Sequence, residues 1–226
     1  MAITLGFDVY GTLIDTAGVT AALTPFTGEL APAFSNLWRE KQLEYSFRRG
    51  LMQNYKHFAI CTRQALDFSC SAMNIHLSEQ EKDLLMANYR TLPAFPDVQE
   101  ALPQLQEFGF RLFAFSNGRA ADVAALLENA NVNRYFIDVV STDEIKSFKP
   151  NPAVYAHFLR RSQSSGQEAW LISGNPFDVI GAQSAGMSGA WVKRSEKALF
   201  DPWEIEPAIV VHTILELRDA ISTTRL

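Results

Sequence analysis

Ile3-Thr-Leu-Gly-Phe7, followed at once by Asp8-Val-Tyr-Gly-Thr12, is the stretch on which the reading of the chain turns. A short apolar run reaches a carboxylate and then the turn-forming Gly11, as expected of a buried strand that delivers a polar group to a sheet edge. Similar runs recur at Arg111-Leu-Phe-Ala-Phe115, Ile137-Asp-Val-Val140, Ala169-Trp-Leu-Ile172, Gly189-Ala-Trp-Val192 and Ile209-Val-Val211. Helical patterns occupy 97–107, 119–129, 152–161 and 177–185. Strands that are continuously apolar, rather than alternating, need cover on both faces. The spacing therefore predicts an α/β fold, a doubly wound parallel sheet with a Rossmann-like core.

Residues 16–92 break that rhythm and read as helix throughout. One helix is expected over 31–49, stopping at Gly50; a second over 55–73; a third opens with the capping box Ser78-Glu-Gln-Glu81 and runs to about residue 90. Leu92-Pro-Ala-Phe-Pro96 reads as the return linker. The expected organisation is an α/β core domain made of 1–15 and 93–226, interrupted by an all-helical cap domain over 16–92. A chain of 226 residues suits one such domain carrying an insertion.

Composition narrows the function classes. Twenty Lys and Arg against 25 Asp and Glu leave a net charge of −5. With no basic run, the chain lacks the electrostatic footprint for nucleic acid or an anionic membrane. No apolar stretch reaches the roughly 18 residues of a spanning helix, and Met-Ala-Ile-Thr-Leu-Gly-Phe-Asp has no basic n-region, so a cytoplasmic protein is expected. Cys61 and Cys70 are nine apart in one helical region and would face opposite ways, as reduced packing thiols. His57, His76, His157 and His212 are scattered and suggest structural or surface roles.

In an open parallel sheet, ligands bind beyond the carboxyl ends of the strands. Those ends deliver Asp8-Val-Tyr-Gly-Thr12, Ser116-Asn-Gly118, Ser141-Thr-Asp143 leading to Lys149-Pro150, and Ser173-Gly-Asn-Pro-Phe-Asp178. Helix capping alone does not account for four polar clusters converging on one edge.

Taken in order and spacing, Phe7-Asp-Val-Tyr-Gly-Thr-Leu13, Ser116-Asn117, Lys149-Pro150 and Ser173-Gly-Asn175 with Asp178 resemble the four motifs of the haloacid dehalogenase superfamily. The resemblance spans essentially the whole chain, and the insertion is similar to that family's helical cap. Leu37-Trp-Arg-Glu-Lys-Gln-Leu-Glu-Tyr45, Tyr10 and Tyr155 resemble the L-2-haloacid dehalogenase branch rather than the phosphatases. Phosphatases of the superfamily carry a second Asp two residues after the nucleophile to protonate a leaving alkoxide. Here that position is Tyr10, and a halide leaves without needing a proton. Ser173 and Asn175 stand where phosphatases usually place carboxylates for Mg²⁺, a cation that prefers such oxygens.

The resemblance implies an (S)-2-haloacid dehalogenase: a hydrolase that needs no metal or other cofactor and acts on a small 2-halocarboxylate. Asp8 would attack C2, with inversion, and water would then release the (R)-2-hydroxy acid from an aspartyl ester. It assigns Lys149 to orienting Asp8, Thr12 and Ser173 to supporting hydrogen bonds, and Asn175 and Asp178 to the hydrolytic water. Ser116 would receive the substrate carboxylate, and Arg39 with Asn117 the halide; Tyr10, Tyr155 and Phe177 would line the substrate. A homodimer through the cap or the sheet-side helices is compatible with the resemblance, and no sequence feature demands one.

Other readings stand beside these. Arg39 lies among Glu40, Lys41 and Glu44, where an i,i+4 surface pair competes with a role at the site. Asp178 could pair with a nearby cation, and Tyr10 and Tyr155 could be packing aromatics. Two positions depart from the branch: Phe177 where Trp is frequent, and Glu40 where Gln is common. A small-metabolite phosphatase and a non-catalytic binding protein on this fold are the rival functions.

Overall fold

The computed structural model describes residues 2–224. The ends of the expected core span, Met1, Arg225 and Leu226, lie outside the described residues. Within them, β1 (Thr4–Phe7), β2 (Arg111–Ser116), β3 (Asp138–Ser141), β4 (Ala169–Ser173), β5 (Ser188–Val192) and β6 (Ile209–Val211) form one parallel sheet in the order β3-β2-β1-β4-β5-β6. The chain order reverses about β1, so the crevice at its carboxyl end is the topological switch point. Asp8 stands there, its backbone N–H continuing the ladder to the Ile172 carbonyl at 2.9 Å.

The continuous hydrophobicity of the strands follows from two cores. Leu5, Phe7, Leu112, Ala114, Trp170 and Ile172 pack on one face with residues of α5 (Val98–Glu107), α6 (Ala120–Asn129) and α9 (Leu217–Thr224). Phe113, Phe115, Ala169 and Leu171 pack on the other with residues of α7 (Pro152–Ser162) and α8 (Pro176–Ser184). Each large side chain fully buried this way contributes about 1.5–3 kcal/mol. Gly6 interrupts β1 for a steric reason: a Cβ there would lie 2.6 Å from the Phe158 ring, so glycine lets α7 approach the sheet.

Between β1 and α5 the chain is helical: α1 (Ala17–Thr27), α2 (Ala31–Leu51), α3 (Phe58–Ala72) and α4 (Glu79–Asn88). The capping box is present, with the Ser78 backbone N–H donating to Glu81 at 2.7 Å and the Glu81 N–H to Ser78 Oγ at 3.3 Å. Two boundaries differ from expectation. The helix passes through Gly50 and ends beyond it because Gln53, at φ 54°, takes the left-handed position that terminates the turn. α3 starts at Phe58, since His57 is extended at ψ 153°. Helix α1, with Pro25 inside it, and helix α9 have no counterpart among the helices read individually from the sequence.

Phe34 and Trp38 of α2 are fully buried, and the Trp38 ring meets Tyr89 at 5.3 Å. Tyr89 in turn meets Tyr10 of the core at 6.2 Å, joining the inserted helices to the loop after β1. Cys61 and Cys70 are both free and buried on α3. Among the described residues no helix is long and apolar enough to cross a membrane.

Candidate active site

The turn after β1 is held from three sides. Thr12 Oγ1 donates to Asp8 Oδ2 at 2.8 Å while accepting the Gly174 backbone N–H at 2.8 Å, which ties the ends of β1 and β4 together. Arg194 donates twice to the Thr12 carbonyl, at 2.6 and 3.1 Å, and to Asp97 at 2.8 Å. Sequence reading missed Arg194 and Asp97, because 97 positions separate them and neither stands at a strand end that drew notice.

The Lys149 side chain is 2% exposed, and its ammonium has three acceptors: Asp8 Oδ1 at 3.1 Å, Asp178 Oδ2 at 2.7 Å and the Phe115 carbonyl at 2.8 Å. Burial disfavours its charge, but the Asp178 and Asp8 carboxylates outweigh that and hold its pKa above the ordinary lysine value. For Asp178 the balance runs the other way. Burial, reinforced by the Asp8 charge, raises its pKa despite the opposing pull of Lys149.

The second oxygen of Asp178 accepts from Tyr155 OH at 2.8 Å. This corrects the expectation for Tyr155. It is fully buried beneath the site with its hydroxyl on Asp178, and is not among the residues that face the cavity. The same packing keeps Asp178 under Lys149 rather than on the cavity wall. Ser173 Oγ accepts the Asn175 N–H at 3.1 Å, so its hydrogen bond shapes the Asn175 turn.

Asn175 Nδ2 donates to Asp8 Oδ2 at 2.8 Å, and its Oδ1 accepts from Arg39 at 3.3 Å. Asp8 Oδ2 therefore has two donors, and Oδ1 has Lys149. Asn117 Oδ1 accepts the Lys149 backbone N–H at 2.9 Å and Thr142 Oγ1 at 3.3 Å, leaving its amide nitrogen as the group available to the cavity. Ser116 Oγ accepts from the Gly118 N–H at 3.1 Å.

These groups enclose a cavity of about 20 Å³ lined by Asp8, Ser116, Asn117, Lys149 and Asn175 from the core, Arg39, Leu43 and Phe58 from the inserted helices, and Tyr10 and Phe177. Leu43 and Phe58 were not singled out from the sequence; Leu43 lies one turn beyond Arg39 on α2, so its spacing was the available signal. A larger cleft of about 290 Å³ adjoins, sharing Tyr10 and Phe58 as walls.

Arg39 is not the surface pair its neighbours suggested: its guanidinium donates to Gln42 and Asn175, while Glu44 is engaged by Lys41 and Arg48. Burial lowers the Arg39 pKa, opposed by Tyr89, Asp8 and Tyr10. Burial likewise raises the Tyr10 pKa and brings that of Tyr89 to about 12, so both phenols stay neutral at ordinary pH. Glu40 is exposed and does not line the cavity. Phe177 lines it and is backed by Phe47, ring centroids 5.1 Å apart. Among the described residues no group of three His, Cys, Asp or Glu is arranged to hold a metal ion.

Fold and site together define a class: α/β proteins with a carboxylate–lysine–carboxylate cluster at the switch point of a parallel sheet, closed by inserted helices. The model of the haloacid dehalogenase-like hydrolases matches residues 6–192, and the chain belongs to that family. It is 32% identical over 216 residues to (S)-2-haloacid dehalogenase 2 of Pseudomonas sp. (strain CBS-3), covering 96% of this chain and 94% of the relative. It is 34% identical over 190 residues to haloacetate dehalogenase H-2 of Moraxella sp. (strain B), covering 84% and 85%. The solved L-2-haloacid dehalogenase from Xanthobacter autotrophicus superposes with a TM-score of 0.91 at 28% identity, covering 99% of both chains. The structure of that enzyme with chloropropionic acid covalently bound also gives 0.91, at 28% identity and 98% and 99% coverage.

Proposed function

We propose that this protein hydrolyses the carbon–halogen bond of short (S)-2-haloacids, giving (R)-2-hydroxy acids through an ester on Asp8, with helices over 16–92 serving as a cap on a core of 1–15 and 93–226. The observation that carries the reading is the asymmetric setting of Asp8 in a small cavity under Arg39. One carboxylate oxygen has two donors, the other has only Lys149, and the position two residues on is Tyr10.

Asp8 Oδ1 has the fewer hydrogen bonds and is the attacking atom. It forms a bond to C2 as the carbon–halogen bond breaks and the halide takes the electron pair. Ser116 and the backbone around it hold the substrate carboxylate; Arg39 and the Asn117 amide receive the halide. With Leu43, Phe58 and Phe177 as walls, a fixed cation stabilises the developing negative charge more than it would in water. Back-side attack inverts C2.

In the second step water placed by Asn175 adds to the acyl carbon of Asp8 and gives its proton to the Asp178–Lys149 pair. The oxyanion forms on Oδ2, where Thr12 and Asn175 already donate. Collapse breaks the acyl carbon–Oδ1 bond; the departing alkoxide takes back the proton held by the Asp178–Lys149 pair to become the hydroxy acid, and the Asp8 carboxyl left behind loses the second water proton to solvent. C2 is untouched, so the inversion persists. Tyr155 fixes Asp178, and Ser173 fixes Asn175.

Halide release from the two enantiomers of 2-chloropropionate in excess EDTA, run beside a phosphomonoester panel with Mg²⁺, tests the proposal. EDTA-insensitive turnover of the (S) enantiomer alone is expected. Phosphate release without halide release would overturn it.

A further inference from the structure

Arg39 reaches the site from α2 and is held there by a chain of buried groups that the reaction itself does not use. Its NH1 donates to Gln42 Oε1 at 2.8 Å; Gln42 Nε2 donates to Thr62 Oγ1 at 2.6 Å; and Thr62 Oγ1 donates to the Phe58 carbonyl at 3.0 Å. Gln42 is 1% exposed and Thr62 is 4% exposed. Thr62 is also gripped through its own carbonyl, which accepts Trp38 Nε1 at 2.8 Å, so α2 and α3 are locked in register beside Arg39.

The sense of this chain is forced by chemistry. A guanidinium has donors only, so the Gln42 carbonyl must face it and the Gln42 amide nitrogen must face Thr62. A hydroxyl that accepts from that nitrogen is left to send its own proton to Phe58. Each link removes the alternative at the next. Without Thr62 Oγ1, the Gln42 amide nitrogen loses its anchor, and the side chain that carries the acceptor for Arg39 is no longer held in place.

Resting on the dehalogenase reading above, we infer that Gln42 and Thr62 are positioning residues for halide departure: a one-way hydrogen-bond relay from the α3 backbone sets the guanidinium of Arg39 in its halide-accepting pose. The relay supplies a neutral acceptor. Arg39 is thereby oriented without a carboxylate partner that would cancel its charge, and the remaining guanidinium donors stay directed to Asn175 and the cavity. Burying two polar side chains in an apolar helix pair costs stability unless both are hydrogen-bonded, and here both are.

Three variants test this. Thr62→Val keeps the shape and removes the acceptor; Thr62→Ser keeps it; Gln42→Glu offers Arg39 an acceptor but neutralises it and cannot donate to Thr62. Two readouts apply: chloride binding by chloride-35 NMR line broadening, which needs no turnover, and single-turnover halide release from (S)-2-chloropropionate and (S)-2-bromopropionate. Thr62→Val and Gln42→Glu are expected to bind chloride about tenfold more weakly. They should slow chloride release more than bromide release, since the poorer leaving group depends more on Arg39, and Thr62→Ser should recover both.

Thermal unfolding identifies which variants are folded, and either of the two disruptive ones suffices. Wild-type chloride binding and an unchanged bromide-to-chloride ratio in a folded disruptive variant overturn the relay, as does an equal loss for both halides, which marks general loosening. A wild-type protein that neither binds chloride nor releases halide overturns the dehalogenase reading and the relay with it. Halide release by wild type with an indifferent Thr62→Val overturns the relay alone.

Discussion

Replacing Lys149 by methionine keeps most of the side-chain volume and removes the cation that joins Asp8 to Asp178. The three acceptors at 2.7–3.1 Å lose their donor, and two carboxylates are left without it in a buried site. Breaking a buried pair on one side costs about 3–5 kcal/mol. At 1.36 kcal/mol per pKa unit, the lower figure corresponds to about two units. Asp178, already raised by burial, is the group that takes the proton. The acid limb of ester hydrolysis should therefore move up by about two units. On the acid side of the wild-type limb that is a loss of about 100-fold, narrowing tenfold with each pH unit as Asp178 is again ionised.

The assay is quenched single turnover with intact-protein mass spectrometry across pH, following decay of the ester. In Lys149→Met the ester should accumulate at pH values where the wild type clears it, and clear faster as the pH rises. Stability follows the same sign. A carboxyl whose folded pKa is raised loses stability as pH climbs from its unfolded value of about 3.9 through the folded one, so the variant's deficit should be smallest near pH 4. In the wild type the raised Lys149 pKa stabilises below about 10.4, and that contribution fades as pH rises through its folded value. A pH–rate profile parallel to wild type, or no ester at any pH, would show that Lys149 does not govern the ionisation of Asp178.

Tyr155→Phe removes one hydrogen bond to the Asp178 carboxylate, worth about 1.5 kcal/mol, and should shift the same acid limb upward by about one unit with the ester still formed at the wild-type rate. A slower first step in single turnover would instead place Tyr155 against substrate. Gly174→Ala would set a Cβ 2.4 Å from the Gly11 carbonyl oxygen, a backbone atom that cannot swing aside, next to the Asn175 turn. Urea unfolding should record a loss of about 1–3 kcal/mol together with lost activity, and an unchanged midpoint would contradict that close approach.

The strands and their order of use were legible because parallel strands buried on both faces are written as short apolar runs, and the residue after each run is the one a ligand meets. Asp8, Asn117 and Asn175 stand one or two residues beyond such runs, whereas Lys149 lies well past the end of β3 and is legible only through the resemblance. Boundaries were less so: Gly50 read as a stop, yet the chain places the left-handed residue at Gln53, a choice that local composition does not encode. The resemblance implies that Tyr155 lines the substrate, whereas packing of α7 turns its hydroxyl onto Asp178.

Gln42 carried a signal that went unread. Ala31, Phe34 and Trp38 form the buried stripe of α2, and Gln42 continues it as a polar residue where an apolar one was due. Its partner Thr62 is 20 positions away on another helix, and such pairs emerge only when α2 and α3 dock. The same applies to Arg194, whose contact with the Thr12 carbonyl spans 182 positions.

The mechanism requires that Asp8 become covalently attached and that water attack its acyl carbon. It is tested most directly by a single turnover of excess protein with (S)-2-chloropropionate in ¹⁸O-labelled water, followed by mass analysis of the peptide containing Asp8 and of the lactate. One ¹⁸O in the Asp8 carboxylate and an unlabelled hydroxyl in the product are expected. Label in the lactate hydroxyl with Asp8 unlabelled would mean that water attacks C2 itself, and would contradict that mechanism.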